Sequence, residues 1–159
     1  MTTMLSRRAL FRGVSGGQVA RRPPWTGEAF TDACTRCGDC IAACPDQLLF
    51  KGDGGYPEIR FDQDGCNFCG QCAQACSVDA FNVDGPAFRW RINLAANCLA
   101  FADIDCRSCE DACEPRAIRF RPALGRAAQP ELSLDACNGC GACMAVCPAD
   151  AVRLEMPNE

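Results

Sequence analysis

The feature that most restricts the fold of this sequence is a pattern of four cysteines that occurs four times. Gaps of 21, 21 and 23 residues separate the four runs. The runs are Cys34-Cys37-Cys40-Cys44, Cys66-Cys69-Cys72-Cys76, Cys98-Cys106-Cys109-Cys113 and Cys137-Cys140-Cys143-Cys147. Sixteen cysteines among 159 residues indicate a disulfide scaffold, structural zinc or iron-sulfur clusters. The spacing within the runs discriminates between these three.

The spacing favours 4Fe-4S clusters. Two-residue gaps let one short loop place three thiolates around one side of a cubane, while the fourth thiolate comes from farther away. Runs one and four have the complete pattern Cys-x2-Cys-x2-Cys-x3-Cys-Pro, ending with Pro45 and Pro148. Zinc sites usually combine two well-separated Cys-x2-Cys elements, and disulfide frameworks belong to secreted chains. We therefore expect all sixteen cysteines to bind four 4Fe-4S clusters, with zinc and disulfides as the alternatives.

Each pair of runs resembles a bacterial-type two-cluster ferredoxin, and the resemblance covers about residues 32–155. It implies an α+β fold of two tandem modules, 28–84 and 85–159, with short hairpins and short helices around the clusters. It also implies that the fourth cysteine of each run binds the neighbouring cluster. The implied ligand sets are Cys34, Cys37, Cys40 and Cys76; Cys44, Cys66, Cys69 and Cys72; Cys98, Cys106, Cys109 and Cys147; and Cys113, Cys137, Cys140 and Cys143.

Two runs depart from the ferredoxin pattern. Run two continues with Ser77 in place of proline, and in run three the proline is displaced by one position to Pro115. Run three also has a seven-residue gap, Leu99 to Asp105, after its first cysteine. We expect a longer loop over that cluster, and Cys98 is the ligand whose position the gap affects most.

The residues between the runs predict short hairpins. Strands are expected at residues 48–51 and 56–61 around a turn at Gly52–Gly55, and at residues 117–121 and 131–134 around a turn region with Pro122, Gly125 and Pro130. The Gly52–Gly55 segment could be imagined as a phosphate loop, but a hairpin turn explains it better. Residues between the third and fourth cysteines favour a helical turn that proline ends. Trp90 alternates with arginines at strand period and is interpreted as structural.

Composition excludes several classes of function. The chain has no histidine, and each oxidised cluster with four thiolates would add about two negative charges to the formal charge of −4. A total of about −12 disfavours nucleic acid. No apolar stretch approaches the roughly 18 residues of a membrane span, so we expect a soluble protein. No nucleotide-binding fingerprint and no spare cysteine are present, which indicates that the chain is not an enzyme.

Residues 1–27 form a basic tail with five arginines and no acidic residue. Its start resembles a twin-arginine export signal, but no apolar stretch of about 7 to 15 residues follows Arg7-Arg8. We expect an uncleaved, cytoplasmic protein. The predicted partner-binding residues of the tail are Arg7, Arg8, Arg21, Arg22 and Trp25. A solvated leader without a binding role is the alternative.

The sequence resembles, almost end to end, the ferredoxin-type proteins of periplasmic nitrate reductase systems. The resemblance rests on the Arg7-Arg8 leader, Arg22-Pro23-Pro24-Trp25, Gly54-Gly55-Tyr56-Pro57, the long gap in run three and Cys137-Asn138-Gly139-Cys140-Gly141. It implies a cytoplasmic role in maturation of the catalytic nitrate reductase subunit before export, by cluster assembly or electron supply. The alternative is a general polyferredoxin that carries electrons between soluble partners.

Overall fold

The computed structural model describes residues 20–156, in which every regular element is short. The five helices of this part of the chain have four residues each: α1 Phe30–Ala33, α2 Asp39–Ala42, α3 Gln71–Gln74, α4 Ser108–Asp111 and α5 Ala142–Ala145. Its six strands are β1 Leu49–Lys51, β2 Pro57–Ile59, β3 Arg91–Leu94, β4 Ile118–Ala123, β5 Arg126–Leu132 and β6 Val152–Glu155. The strands pair as three separate two-stranded antiparallel sheets. This combination confirms the α+β class.

In the first module, the hairpin β1–β2 links the two cysteine runs. Leu49 pairs with Ile59 and Lys51 pairs with Pro57, and a 3-10 turn at Asp53–Gly55 closes the hairpin. The segment just before the module runs alongside it. The N–H of Ile59 donates to the carbonyl of Arg21 at 2.8 Å, so a backbone hydrogen bond holds Arg21 against the hairpin.

The second module contains one long hairpin and one pairing between its two ends. In the hairpin β4–β5, Ile118 lies opposite Leu132, and the chain turns at Leu124 and Gly125. Strand β3, at the start of the module, pairs with β6 at its end, so that Leu94 lies opposite Val152. This second pairing brings residues about sixty positions apart together and closes the module.

The two modules pack against each other directly. There are two apolar cores, and the core of the first module also includes Phe88 from the start of the second; Met144 and Leu154 contact both cores. The ring of Phe88 stacks on Trp90 with centroids 4.6 Å apart, and the Trp90 indole N–H donates to the carbonyl of Gly139 at 2.9 Å. The hydrogen bond explains why a partly buried tryptophan is held at the junction. It also agrees with the structural role expected for Trp90.

Several predictions from the sequence are confirmed locally. In every run a four-residue helix contains the third cysteine and ends two residues before the fourth, and the Gly52–Gly55 segment is a hairpin turn. The hairpin β4–β5 is longer than expected, because Pro122 and Pro130 lie within strands rather than in the turn. Each strand is at the edge of a two-stranded sheet, where a proline without an N–H is tolerated. Within residues 20–156, no helix has the length and apolar character that crossing a bilayer requires.

Candidate iron-sulfur centres

A repeated backbone conformation curls the cysteine loops. In runs one, two and four, the residue before the second cysteine has a positive φ: Arg36 at 62°, Phe68 at 58° and Gly139 at 77°. The residue after the second cysteine is a glycine with φ between 74° and 93°, which caps the following helix. Glycine suits this position because it has no Cβ to clash in the left-handed region. Run three differs, since Arg107 occupies this position with φ −132°.

In the first module, the loops bring the thiols together in two crossed sets. One small cavity is lined by Cys34, Cys37 and Cys40 of run one together with Cys76 of run two. A second cavity is lined by Cys66, Cys69 and Cys72 of run two together with Cys44 of run one. We name these sets site 1 and site 2. Each site therefore takes three thiols from one run and its fourth from the other, as the ferredoxin resemblance implies.

The second module repeats the crossed arrangement. A cavity is lined by Cys98, Cys106 and Cys109 of run three together with Cys147 of run four, and we name this set site 3. The remaining four cysteines form site 4, in which Cys137, Cys140 and Cys143 of run four lie near Cys113 of run three. Cys98 thus joins its set despite the seven-residue gap that follows it in the sequence.

The long gap of run three is ordered by the hairpin beside it. A 3-10 turn, Leu99–Ala102, begins directly after Cys98, and Ala100 is fully buried. The side-chain amide of Gln129 on β5 donates to the carbonyl of Ala100 at 2.8 Å. Asp103 ends the turn and forms a 2.9 Å ion pair with Arg126. Because the insertion is anchored to β5, it leaves Cys98 at the site.

The thiols fit a polynuclear cationic core. In residues 20–156, no group of cysteine and carboxylate side chains could hold a single metal ion; sites 1, 2 and 3 instead surround cavities. Burial raises the pKa of the Cys72, Cys109 and Cys143 thiols to about 12. Neighbouring cysteines add to this rise. Four thiolates in such a setting require compensating positive charge, which an iron-sulfur core supplies.

Backbone N–H groups donate to some of the sulfur atoms. Ala117 N donates to Cys113 Sγ at 3.1 Å, and Ala151 N donates to Cys147 Sγ at 3.2 Å. In both cases the residue just before the donor has a positive φ, which aims the N–H back at the sulfur. Cys76 differs, because its Sγ lies 3.0 Å from the carbonyl oxygen of Val78. Hydrogen bonds to sulfur tune cluster potentials, and the fourth cysteines of the runs are not equivalent in this respect.

The four sites follow one another in a row. Sites 1 and 2 are neighbours because they exchange their fourth cysteines, and the same holds for sites 3 and 4. Sites 2 and 4 meet across the module boundary, where Cys66 N donates to the carbonyl of Cys140 at 2.8 Å. The order in space is therefore site 1, site 2, site 4, site 3. The sequence gives no sign of the contact between Cys66 and Cys140, which depends on how the modules pack.

The predicted partner-binding residues have different surroundings. Arg22 forms a 3.7 Å ion pair with Glu58 and lies over the Tyr56 ring. Trp25 packs edge-on against Phe68, and its backbone bonds to Ala87 and Asn82. Arg21 is half-buried near Arg153. Arg7 and Arg8 lie outside the described residues, and the docking role of all five residues stays a prediction.

Comparison with known protein families gives a match in each module. A model described as "4Fe-4S dicluster domain" matches residues 33–80 and again residues 104–151. The first match includes all eight cysteines of its module. The second begins after Cys98, the first cysteine of run three. Only the structure groups Cys98 with the other three cysteines of site 3.

Individual relatives resemble the chain over most of its length. The "Ferredoxin-type protein NapF" of Haemophilus influenzae is 48% identical over 139 residues, which cover 86% of this chain and 79% of that protein. The protein of the same name from Escherichia coli K12 is 45% identical over 137 residues, 84% of each chain. A component of an ion-translocating oxidoreductase complex from Methanosarcina acetivorans is 30% identical over 151 residues, 91% of this chain and 55% of that protein.

Proposed function

Since this chain belongs to the family of the ferredoxin-type NapF proteins and has two 4Fe-4S dicluster domains that fit four clusters, we propose that it supplies electrons to an iron-sulfur client during maturation. The sixteen cysteines hold the clusters in the crossed sets of sites 1 to 4. When bound, the clusters supply one-electron transfer. The observation that carries this proposal is the continuous row of four sites, in which Cys66 and Cys140 join the modules.

Electron supply fits the sites better than donation of whole clusters does. Each site takes thiols from two runs, so releasing a cluster would require two loops to separate. Every site contains at least one buried cysteine: Cys40 in site 1, Cys72 in site 2, Cys98 and Cys109 in site 3, and Cys137 and Cys143 in site 4. Such burial excludes water from one side of the site and slows ligand exchange. The chain therefore retains its clusters and acts as a carrier rather than as a catalyst.

We assign the client role to the catalytic subunit of periplasmic nitrate reductase, in its cytoplasmic precursor form. The support is the 45–48% identity to proteins named NapF together with the resemblance to nitrate reductase accessory proteins. The chain acts in the cytoplasm, where this precursor exists before its export. The basic residues Arg7, Arg8 and Arg21 contribute to docking.

A single anaerobic experiment tests both the client and the service. The reduced protein is incubated with the tagged precursor, and the two are then separated. We expect association, an EPR signal from the newly reduced precursor, and about sixteen irons retained per accessory chain. Loss of iron to a cluster-free precursor would replace electron supply with cluster donation, and absence of association would refute the client.

The docking role is tested separately with the variant Arg7→Gln/Arg8→Gln. The full-length variant keeps residues 20–25, whose backbone bonds hold the first module, so its cluster content should be unchanged. We expect weaker association with the precursor. Unchanged association would make the leader a solvated segment without a binding role.

The second candidate is a general polyferredoxin, which the row of four sites also supports. This alternative predicts fast, reversible reduction by a ferredoxin reductase at a rate that the precursor and the basic tail do not affect. Stopped-flow reduction of the wild type and of Arg7→Gln/Arg8→Gln by a ferredoxin reductase discriminates between the two candidates. Fast, reversible and equal reduction of both proteins supports the general polyferredoxin. A client-specific carrier does not exchange electrons quickly with this general donor.

A further inference from the structure

A groove of about 600 Å³ lies on the face where the tail segment meets the end of the second module. Its floor is apolar and includes Ala87, Phe88, Trp90 and Leu154. Phe88 is buried and its ring is stacked against that of Trp90, so the accessible part of this apolar floor comes from the partly buried Ala87, Trp90 and Leu154. None of the sixteen cysteines lines this groove, so it is separate from the cluster sites.

The walls of the groove carry an excess of positive charge. Four arginines, Arg21, Arg22, Arg89 and Arg153, line it with two glutamates, Glu28 and Glu155. Arg22 forms an ion pair with Glu58. The side-chain amide of Asn93 donates to both carboxylate oxygens of Glu155, each at 3.0 Å. The other three arginines take no part in the ion pairs found among residues 20–156.

Two of these arginines, Arg21 and Arg153, lie near each other in the groove. Burial, together with the neighbouring positive charge of Arg153, lowers the pKa of the Arg21 guanidinium from its ordinary value. The side chain of Arg153 donates to the carbonyl oxygens of Asp150 and Val152, which fixes it beside the groove. Two guanidinium groups that lie near each other and form no ion pair with a carboxylate among residues 20–156 favour an external anion.

The charge of the groove contrasts with the charge of the rest of the molecule. The chain has a formal charge of −4, and four bound clusters make it more negative still. Its own leader is a poor occupant, because residues 1–19 contain three arginines and no acidic residue. Like charges in a confined site oppose binding, so charge complementarity selects a separate, acidic molecule.

We propose that this groove binds a short peptide segment of a protein partner in which carboxylates flank a large apolar side chain. The apolar side chain lies against Trp90 and Leu154, while the carboxylates pair with Arg21, Arg89 and Arg153. This surface is independent of the identity of the client proposed above. It gives the protein a docking surface that none of the sixteen cysteines lines.

Selection of displayed random octapeptides against the anaerobic holoprotein tests the proposal, followed by fluorescence anisotropy with the enriched peptides. We expect enrichment of aspartate and glutamate next to leucine or phenylalanine, and affinity that falls as salt rises. The variant Arg89→Glu/Arg153→Glu should weaken binding by about tenfold or more at low salt. The variant Arg119→Glu, an equally exposed arginine on β4 outside the groove, should bind as the wild type does.

Iron and sulfide content establishes that each variant is folded before its binding is compared. The proposal is overturned if the selected peptides lack carboxylates, or if Arg119→Glu weakens binding as much as the groove variant does. It is also overturned if the variant Leu10→Ser/Phe11→Ser binds the peptides several-fold more tightly, because the leader would then be the occupant. Retained binding by Arg21→Gln/Arg153→Gln would exclude the guanidinium pair as the anion site.

Discussion

Replacement of Gly65 by alanine tests the contact that joins the two modules. Gly65 precedes Cys66, and a Cβ atom at this position would lie 2.7 Å from both the Cβ and the backbone N of Ala142. Ordinary contact begins at 3.4 Å, so the two segments must separate by about 0.7 Å, from 2.7 to 3.4 Å. Two of the three closest atoms belong to the backbone of Ala142, so no rotamer change relieves the overlap.

Overpacking of this kind costs about 1–3 kcal/mol. For a chain of this size, such a cost lowers the melting temperature by roughly 2–12 °C. The assay is anaerobic thermal loss of the visible cluster absorbance, at one fixed scan rate because unfolding with cluster loss is irreversible. We expect Gly65→Ala to begin with a full set of about sixteen irons and to lose them at a lower temperature than the wild type.

The matched control is Gly27→Ala, because an added Cβ at Gly27 meets no atom within 4 Å. This variant should melt with the wild type. EPR of the fully reduced protein adds a local readout: the magnetic interaction between sites 2 and 4 should change in Gly65→Ala alone. Melting of Gly65→Ala within about 1 °C of Gly27→Ala would refute the packing of Cys66 on Cys140.

Three further predictions follow from the sites and the junction. Cys44→Ser should lower the iron content to about twelve per chain. It should also remove the same EPR component as Cys69→Ser, because Cys44 and Cys69 both line site 2. If Cys44→Ser instead removes the component that Cys37→Ser removes, the ligation is not crossed. Trp90→Phe should lower the free energy of unfolding by about 1 kcal/mol through loss of the hydrogen bond to Gly139, measured as a lower melting temperature, with full iron content. Anaerobic removal of iron by a chelator should abolish the folded far-UV spectrum, since many core residues are cluster thiols; a native spectrum without iron would contradict this.

Much of each site could be predicted from the sequence, because its determinants lie within a few residues of one another. In runs one, two and four, the two-residue gaps set three thiols on one loop, and the glycine after the second cysteine ends the loop and begins the helix. The hairpin at Gly52–Gly55 is likewise a local feature, in which turn residues and the alternation of β1 and β2 act over about ten positions. The ferredoxin resemblance adds the crossed grouping of thiols that lines sites 1 to 3, and cluster ligation by these thiols stays a prediction.

Other features depend on residues far apart in the chain and left no local signal. Strand β6 has only four residues, and its pairing with β3 depends on Val152 and Ile92 entering the same core. The sequence predicts a shorter hairpin than β4–β5, because prolines usually end strands. Proline is tolerated at a sheet edge, where no neighbouring strand needs its missing N–H, and the sequence does not show that these strands are edges. The close packing of residues 21–25 was also not apparent, since a basic, proline-containing segment before a module is more typical of a solvated leader.

Ligand spacing and helical turns are local geometry, which is why the amino-acid sequence is enough to establish four cysteine sites of cluster type. The order of those sites in space, and the basic groove formed where the tail segment meets β6, follow instead from the packing of the folded chain. Both depend on long-range contacts, in which Cys66 meets Cys140 and Arg21 comes to lie beside Arg153. Such contacts arise from the fit of two distant surfaces, and no spacing in one short segment encodes that fit.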